Sequence, residues 1–170
     1  RIADRLREAR PDLALSSDFI AGHPGESAAD HEATLKLIAD VGFAQAFSFK
    51  YSARPGTPAA GAPLQVAEAE RDRRLQEIQA LLRQQQDAFN LACVGQRMDV
   101  LVTGAGRDPG QIAGRSPWLQ PVHGQGPAGL EGQVVSALVT ASMSNSLAVR
   151  FEGQEAQGSP PEPRQEMAAA

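Results

Sequence analysis

The chain has 170 residues, 42% hydrophobic and 21% charged, so it can bury one modest core or two small ones. Its 16 Lys and Arg against 20 Asp and Glu give a net charge of -4, which excludes a generally basic nucleic-acid-coating protein and leaves room only for a local nucleic-acid site. No apolar run approaches the roughly 18 residues of a membrane span. The single cysteine, Cys93, excludes an internal disulfide and a cysteine-ligated metal cluster within this chain. We expect a soluble, cytoplasmic protein that continues upstream of Arg1, because the chain opens inside a predicted helix.

The first third of the chain alternates between helices and strands. Apolar spacing and turn residues predict, in order, a helix, a strand, a helix and a strand over residues 1–10, 13–21, 27–41 and 43–51. Ser27 with Asp30 three residues later is typical of a helix N-terminus, and Gly42 is expected to close that helix. In the second strand, the large residues are expected on one face and the small ones on the other: Phe43, Phe47, Phe49 and Tyr51 against Ala44, Ala46 and Ser48.

This alternation is typical of a parallel sheet or a (β/α) barrel. A closed barrel of that kind needs about 250 residues, so residues 1–65 are predicted to be the C-terminal part of a larger α/β barrel. Residues 66–93 are predicted to form a linking helix. Residues 94–153 contain short alternating segments separated by glycines, which predicts a small five-stranded β-barrel. Residues 154–170 are rich in Pro, Gln, Glu and Ala and are predicted to be disordered. The fold class is α/β followed by all-β.

Two glycine-containing loops follow the predicted strands, at the end of a parallel sheet where active sites lie. The first is Gly22-His23-Pro24-Gly25-Glu26, and the second runs from Tyr51 to Thr57. They are either ligand-binding loops, whose backbone amides approach a ligand closely, or ordinary tight turns. Arg54 is either a phosphate or carboxylate clamp or a solvated arginine.

Other side chains that titrate or react have weaker support as functional groups. His23 and His31 have no evident partner, and His31, near a helix start, is expected at the surface. Asp18 and Glu26 are a candidate carboxylate pair, although Glu26 could instead serve the N-terminus of the following helix. Cys93 is expected to be a small packed residue rather than a nucleophile.

The predicted barrel carries arginines on different strands, at Arg97, Arg115 and Arg150, with Trp118 and His123 between them. Such a barrel can bind RNA through phosphate contacts and base stacking. Arginines and carboxylates nevertheless balance over residues 94–153, so electrostatics alone does not predict an RNA-binding domain. The alternative for Trp118 is simple core filling.

Three separated segments carry a family resemblance: SSDFIAGHPGES (Ser16–Ser27), FSFKYSARPGTPAA (Phe47–Ala60) and GRSPWLQPVH (Gly114–His123). Together and in this order they resemble the radical-SAM methylthiotransferases, over roughly Arg1 to Phe151. Two positions depart from the family's motifs. His23 stands where GFPGE has Phe, and Ala53 stands where YSPRPGT has Pro.

The resemblance implies a fold, cofactors and site residues. Residues 1–65 would end a radical-SAM barrel, and residues 94–153 would form a TRAM domain, the family's RNA-binding barrel. The implied cofactors are S-adenosylmethionine and two 4Fe-4S clusters whose cysteine ligands lie upstream, so this chain would supply no metal ligand and would be inactive alone. The S-adenosylmethionine pocket would be bordered by Gly22, Pro24, Gly25 and Glu26. The mouth that admits a flipped adenosine would be lined by Tyr51, Ser52 and Arg54. RNA contacts would come from Arg97, Arg115, Trp118, His123 and Arg150.

The implied activity is radical methylthiolation of a modified adenine at C2, in which sulfur is inserted at that carbon and then methylated. GRSPWLQPVH favours family members that act on N6-dimethylallyladenosine next to the tRNA anticodon. Sibling enzymes act on threonylcarbamoyladenosine or on a ribosomal protein. The implied partner is the tRNA anticodon stem-loop, with no membrane involved and a monomeric protein. A non-catalytic RNA-binding protein and an α/β metabolic enzyme with an appended barrel are the alternatives from other classes.

Overall fold

The computed structural model describes residues 2–152 and shows a small α/β unit connected by one long helix to a closed β-barrel. The helices are α1 (Ile2–Ala9), α2 (Ala28–Val41) and α3 (Glu68–Ala92), with a short 3-10 helix (Pro58–Gly61) between α2 and α3. The strands are β1 (Ser16–Ala21), β2 (Gln45–Lys50), β3 (Arg97–Ala105), β4 (Gln111–Arg115), β5 (Pro121–Gln125), β6 (Val134–Ser142) and β7 (Leu147–Phe151). The predicted disordered tail, residues 154–170, lies outside the described residues.

In the α/β unit, β1 and β2 pair in parallel and α2 forms the crossover between them. The predicted start and end of α2 are confirmed. The Ser27 hydroxyl accepts a hydrogen bond from the Asp30 amide at 3.2 Å, and the Asp30 carboxylate accepts one from the Ser27 amide at 2.9 Å. Gly42 closes the helix in the left-handed conformation, at φ +65°.

Only one face of this two-stranded sheet is covered by helices. Its core consists of residues from β1, α2, α3 and the start of the β2 segment: Phe19, Ala21, Ile38, Phe43, Ile78 and Leu82. On the opposite face Ile20, Phe47 and Phe49 are each more than half exposed. The prediction that the large residues share one face of the second strand holds for Phe47 and Phe49. It is wrong for Phe43 and Tyr51. Both lie beyond the ends of β2, where the chain leaves the strand and buries them.

The predicted five-stranded barrel is confirmed. Its strands close in the order β3-β4-β5-β7-β6, with all neighbours antiparallel except the β5–β7 pair. Alternate residues fill the interior, as expected for strands with one buried face: Met98, Val100, Val102, Ile112, Val122, Ala137, Val139, Leu147, Val149 and Phe151. Register shifts between Val102 and Gly104 and between Val139 and Ala141 mark irregularities in the long strands β3 and β6.

Within residues 2–152, every helix is too short or too polar to cross a lipid bilayer.

Candidate functional site

The two loops that the sequence singled out meet at the carboxyl ends of β1 and β2. The parallel register sets Ala21 beside Lys50, so each loop starts at the same edge of the sheet. The Tyr51 amide donates to the Ala21 carbonyl at 2.8 Å. The rings of His23 and Tyr51 pack edge to face, with 5.3 Å between centroids. The structure therefore brings residues 22–26 and residues 51–57 together.

The amides of the first loop are already used within the protein. Those of Gly22 and His23 donate to the Glu26 carboxylate, the second at 3.1 Å. The Gly25 amide donates to the Leu64 carbonyl at 3.0 Å, and the Glu26 amide to the His23 carbonyl at 2.9 Å. In this respect the loop resembles an ordinary tight turn, and its amides are not free for a ligand.

Glu26 organises this loop rather than forming a pair with Asp18. Asp18 lies exposed on β1, whereas the Glu26 side chain is paired with Arg74 of α3. The Arg74 guanidinium lies 3.4 Å from the Glu26 carboxylate and donates to the Glu26 carbonyl at 2.9 Å. Arg74 is itself buried and also bonds Glu70 at 2.8 Å. The first loop is thus fixed to α3 through a charge network.

His31 belongs to the same network, and the expectation that it lies at the surface is wrong. It is only 3% exposed because the first turn of α2 packs against α3. Its Nε2 lies 2.7 Å from the Glu77 carboxylate, and this hydrogen bond, followed by that of Arg73, lowers the pKa of Glu77. Its Nδ1 is buried without a hydrogen-bond partner, 3.7 Å from Glu26.

The second loop is held by Arg71, also from α3. The Arg71 guanidinium donates to the Tyr51 carbonyl at 2.9 Å. Its side-chain carbons occupy the space beside Gly22 in which a Cβ would otherwise sit. Arg71 therefore contacts both loops at once. The Tyr51 ring is buried, and its hydroxyl has no hydrogen-bond partner.

The remaining residues predicted for the second loop are exposed. Ser52 and Arg54 face solvent, and a turn in which the Thr57 amide and hydroxyl donate to the Arg54 carbonyl, at 3.2 and 2.8 Å, closes the loop. Ser52 and Arg54 border the same edge as His23 and Tyr51, where their side chains have room to contact a ligand.

The predicted RNA-binding residues of the barrel do not form one cluster. Arg115, His123 and Arg150 lie on the neighbouring strands β4, β5 and β7. Arg97 lies on β3, where its guanidinium pairs with Glu152 at 2.6 Å. That contact raises the pKa of Arg97 and lowers the pKa of Glu152.

Trp118 lies at the junction between the barrel and the α/β unit. Its indole nitrogen donates to the Asp12 carbonyl at 3.0 Å, and its ring packs edge to face on Phe89, with 5.6 Å between centroids. This placement favours the packing alternative over a free stacking surface.

A comparison with known proteins shows which family carries these features. No family model matches the chain. A tRNA-2-methylthio-N(6)-dimethylallyladenosine synthase from Jannaschia sp. (strain CCS1) is 54% identical over 151 residues, which are 89% of this chain. The chain belongs to the family of this synthase. The match covers the C-terminal part of that relative, and the chain spans about one third of its length.

The residues of this synthase-family chain do not form a metal centre by themselves. Within residues 2–152, no group of three or more His, Cys, Asp and Glu side chains is placed to hold a metal ion. Cys93 lies buried where α3 meets the barrel, with its Sγ 3.3 Å from the Phe89 carbonyl. Burial raises the pKa of its thiol. An iron–sulfur cluster would therefore need cysteines outside this part of the chain.

The two loops have both open space and a polar group without a partner. Around Gly25 there is open space, and the unpaired Tyr51 hydroxyl is a donor with free capacity. Two clefts of about 590 and 500 Å³ open along β2, and neither is lined by residues 22–26 or 51–57.

Arg71 and Arg74 are the site residues that sequence reasoning missed. Their segment, Glu68 to Glu77, reads as a run of alternating charges, which is typical of a solvated helix face. The i,i+3 and i,i+4 pairs that this spacing predicts do form, as between Arg73 and Glu70 at 2.7 Å. The spacing of charges along the helix does not show which arginine bonds only a neighbouring carboxylate and which also bonds a distant loop.

Proposed function

We propose that this chain is the C-terminal part of a radical-SAM enzyme that methylthiolates C2 of N6-dimethylallyladenosine next to the tRNA anticodon. The observation that carries the proposal is the 54% identity to the Jannaschia synthase over 151 residues. Identity at this level over both the α/β unit and the barrel supports this activity over the sibling activities on threonylcarbamoyladenosine or a ribosomal protein.

In this proposal the α/β unit ends a radical-SAM (β/α) barrel. Parallel sheets are normally covered on both faces, whereas Ile20, Phe47 and Phe49 leave one face of the β1–β2 pair uncovered. Further strands of a larger barrel would bury this face in the barrel interior. The loops at residues 22–26 and 51–57 would then lie at the rim where α/β barrels bind substrates.

The chemistry at the adenine needs a radical and a methyl donor, which S-adenosylmethionine and two 4Fe-4S clusters supply when bound. Cysteine ligands for the clusters would lie in the rest of the full-length protein. The first loop would border S-adenosylmethionine through van der Waals contacts rather than hydrogen bonds from its amides. Its residues at this border would be Gly22, Pro24, Gly25 and Glu26. Its backbone amides already donate to Glu26, His23 and Leu64, so none of them is free for the ligand. Tyr51, Ser52 and Arg54 would line the mouth through which the flipped nucleotide enters.

The barrel would hold the RNA on the outer surface of β4, β5 and β7, which we call the β4–β5–β7 face. Its outward residues include Arg115, His123 and Arg150, and none of the outward positions on these three strands is a carboxylate. The register places His123 between Ala113 and Ala148, so the centre of the face is uncrowded. Phosphates can approach such a surface closely. Arg97, paired with Glu152, would contribute less.

The decisive test is mass analysis of tRNA nucleosides from cells that lack the gene. We expect loss of 2-methylthio-N6-dimethylallyladenosine, with N6-dimethylallyladenosine accumulating in its place. The intact gene should restore the mark, and these 170 residues alone should not. An unchanged nucleoside profile in the deletion strain would overturn the proposal and favour a non-catalytic RNA-binding protein.

The RNA face is tested by tRNA binding across a range of salt concentrations. Arg115→Ala and Arg150→Ala should each weaken binding and reduce the slope of log K against log salt by about one unit, as expected for a lost phosphate contact. Arg5→Ala, an exposed arginine on α1, is the matched control and should leave the slope unchanged. Equal slopes in all three variants would assign Arg115 and Arg150 to structure.

A further inference from the structure

Helix α3 connects the candidate site to the barrel over a long distance. Near its first turns, Arg71 and Arg74 bond the two loops. Near its last turn, Phe89 and Asn90 contact the barrel. At a rise of 1.5 Å per residue, Arg71 and Asn90 lie about 28 Å apart along the helix axis. The placement of barrel-bound RNA relative to the loops therefore depends on how the barrel is fixed to the end of α3.

The turn between β4 and β5, residues 116–120, is one contact of the barrel with α3, beside contacts of α3 with β6 and of Phe89 with the barrel core. Ser116 and Gln120 are buried polar residues, as is Asn90 of α3. The Gln120 side-chain amide donates to the Asn90 side-chain carbonyl, and the Ser116 hydroxyl bonds Gln120 at 3.0 Å. The Trp118 and Gln120 amides both donate to the Ser116 hydroxyl at 3.2 Å. The buried polar groups of the turn are thus satisfied largely by one another and by α3.

Trp118 extends this contact past α3 to the α/β unit. Its hydrogen bond to the Asp12 carbonyl joins residues that lie 106 positions apart in sequence. Asp12 precedes β1, so the bond reaches the amino-terminal end of the sheet, opposite the edge that carries the two loops. The indole consequently touches both α3 and the segment that leads into the sheet.

The turn also holds a strained residue. Leu119 has φ +65°, in the left-handed region that costs a non-glycine residue energy, and its side chain is exposed. Its carbonyl accepts a hydrogen bond from the Arg115 guanidinium at 3.1 Å. Strain of this kind persists where surrounding contacts demand one conformation. Here the contacts that Trp118 and Gln120 make on either side of Leu119 hold it in this conformation.

We infer that the 116–120 turn fixes the orientation of the barrel on α3, and that Trp118 and Gln120 are positioning residues for the RNA substrate. The inference rests on the proposed function for its substrate. These side chains hold the β4–β5–β7 face in register with the loops about 28 Å away along α3. Loosening the turn leaves the barrel able to bind RNA but lets the target nucleotide miss the loops.

The test uses the full-length protein with Trp118→Ala, Gln120→Ala and Trp118→Phe, measured by small-angle scattering, tRNA affinity and methylthiolation rate. Trp118→Ala and Gln120→Ala should enlarge the maximum dimension in solution and lower kcat by about 10- to 100-fold, as expected for a misplaced substrate. Their Kd for tRNA should stay within about twofold of wild type, because the β4–β5–β7 face is unchanged. Trp118→Phe keeps the ring on Phe89 and should recover part of the rate.

Val134→Ala is the matched control, since Val134 is an exposed apolar residue at the start of β6, outside both the 116–120 turn and the β4–β5–β7 face. It should leave all three measurements at wild-type values. Wild-type scattering and kcat in Trp118→Ala and Gln120→Ala would overturn the inference. A loss of tRNA affinity with unchanged scattering would also overturn it, by showing that Trp118 contacts RNA directly. If the wild-type protein does not methylthiolate tRNA, the proposed function fails, and scattering alone decides whether the turn fixes the barrel.

Discussion

Gly22 provides the sharpest test of how the loops are built. It has φ +75°, and a Cβ added there would lie 2.9 Å from Cδ and 3.0 Å from Cβ of Arg71, and closer still to Cγ. Replacing Gly22 by alanine therefore adds two costs. The left-handed conformation costs an alanine about 1–2 kcal/mol. Forcing a methyl group into filled space costs about 1–3 kcal/mol more.

Gly25 separates these two costs. It has nearly the same conformation, φ +85°, but nothing lies within 4 Å of the position that a Cβ would take there. Gly25→Ala should lower the free energy of unfolding by the conformational cost alone, about 1–2 kcal/mol. Gly22→Ala should lower it by about 2–5 kcal/mol, the sum of the conformational cost and the packing cost. The difference between the variants measures how tightly Arg71 packs on the first loop.

The assay is urea unfolding followed by far-ultraviolet circular dichroism, analysed by linear extrapolation. Fluorescence of the single tryptophan, Trp118, is fitted separately because a protein of two parts need not unfold in one step. Arg71→Ala removes the obstructing Cγ and Cδ and leaves only Cβ at 3.0 Å, so in that background the extra cost of Gly22→Ala over Gly25→Ala should shrink. Equal effects of the two glycine variants in the wild-type background would refute the packing described for Arg71.

Three further outcomes follow from single groups. Tyr51→Phe should leave the urea midpoint unchanged or raise it, because it removes a buried hydroxyl without a partner; a fall in the full-length protein's methylthiolation rate would then assign that hydroxyl to a ligand. Cys93 should react slowly with a thiol reagent at neutral pH until urea unfolds the chain, because burial raises its pKa; fast reaction in the folded state would contradict its burial. Hydrogen bonds from Arg73 and then Arg74 lower the pKa of Glu70 to about 2. The ionised Glu70 carboxylate therefore stabilises the fold above its unfolded pKa near 4.5, and this contribution should disappear as the pH falls from about 4.5 to 2. Glu70→Gln should reduce this acid sensitivity, as measured by urea unfolding at several pH values.

Local signals in the sequence were enough to predict the elements that depend on neighbouring residues. Ser27 and Asp30 form the capping box that begins α2, and Gly42 ends it in the left-handed conformation. Glycine-separated alternating segments produce the five barrel strands because period-two burial is itself local. The placement of the two loops at one edge also followed from sequence, since parallel pairing of β1 and β2 puts both carboxyl ends together.

The wrong position for His31, and two contacts that the sequence does not indicate, arise where a distant element decides the outcome. His31 has a surface position by its place in α2 alone, and becomes buried because Glu77 of α3 packs over it. Glu26 bonds its own loop and Arg74 of α3, and its motif position does not indicate the contact with Arg74. Trp118 is an aromatic residue between barrel strands, and its role depends on Asp12, 106 residues away. Each of these contacts joins elements far apart in sequence, which periodicity does not report.

The energetics of α3 explain why one polar helix can hold both parts of the chain. Exposed ion pairs on a helix contribute little, because solvent screens them and ordering the side chains costs entropy. Arg74 and Asn90 differ because both are buried, so removing either partner leaves a desolvated group unpaired. Those two residues lie toward opposite ends of α3, one against the first loop and the other against the 116–120 turn. A substitution at one end should therefore loosen one attachment and spare the other, so Arg74 variants should disturb the loops while leaving the barrel in place.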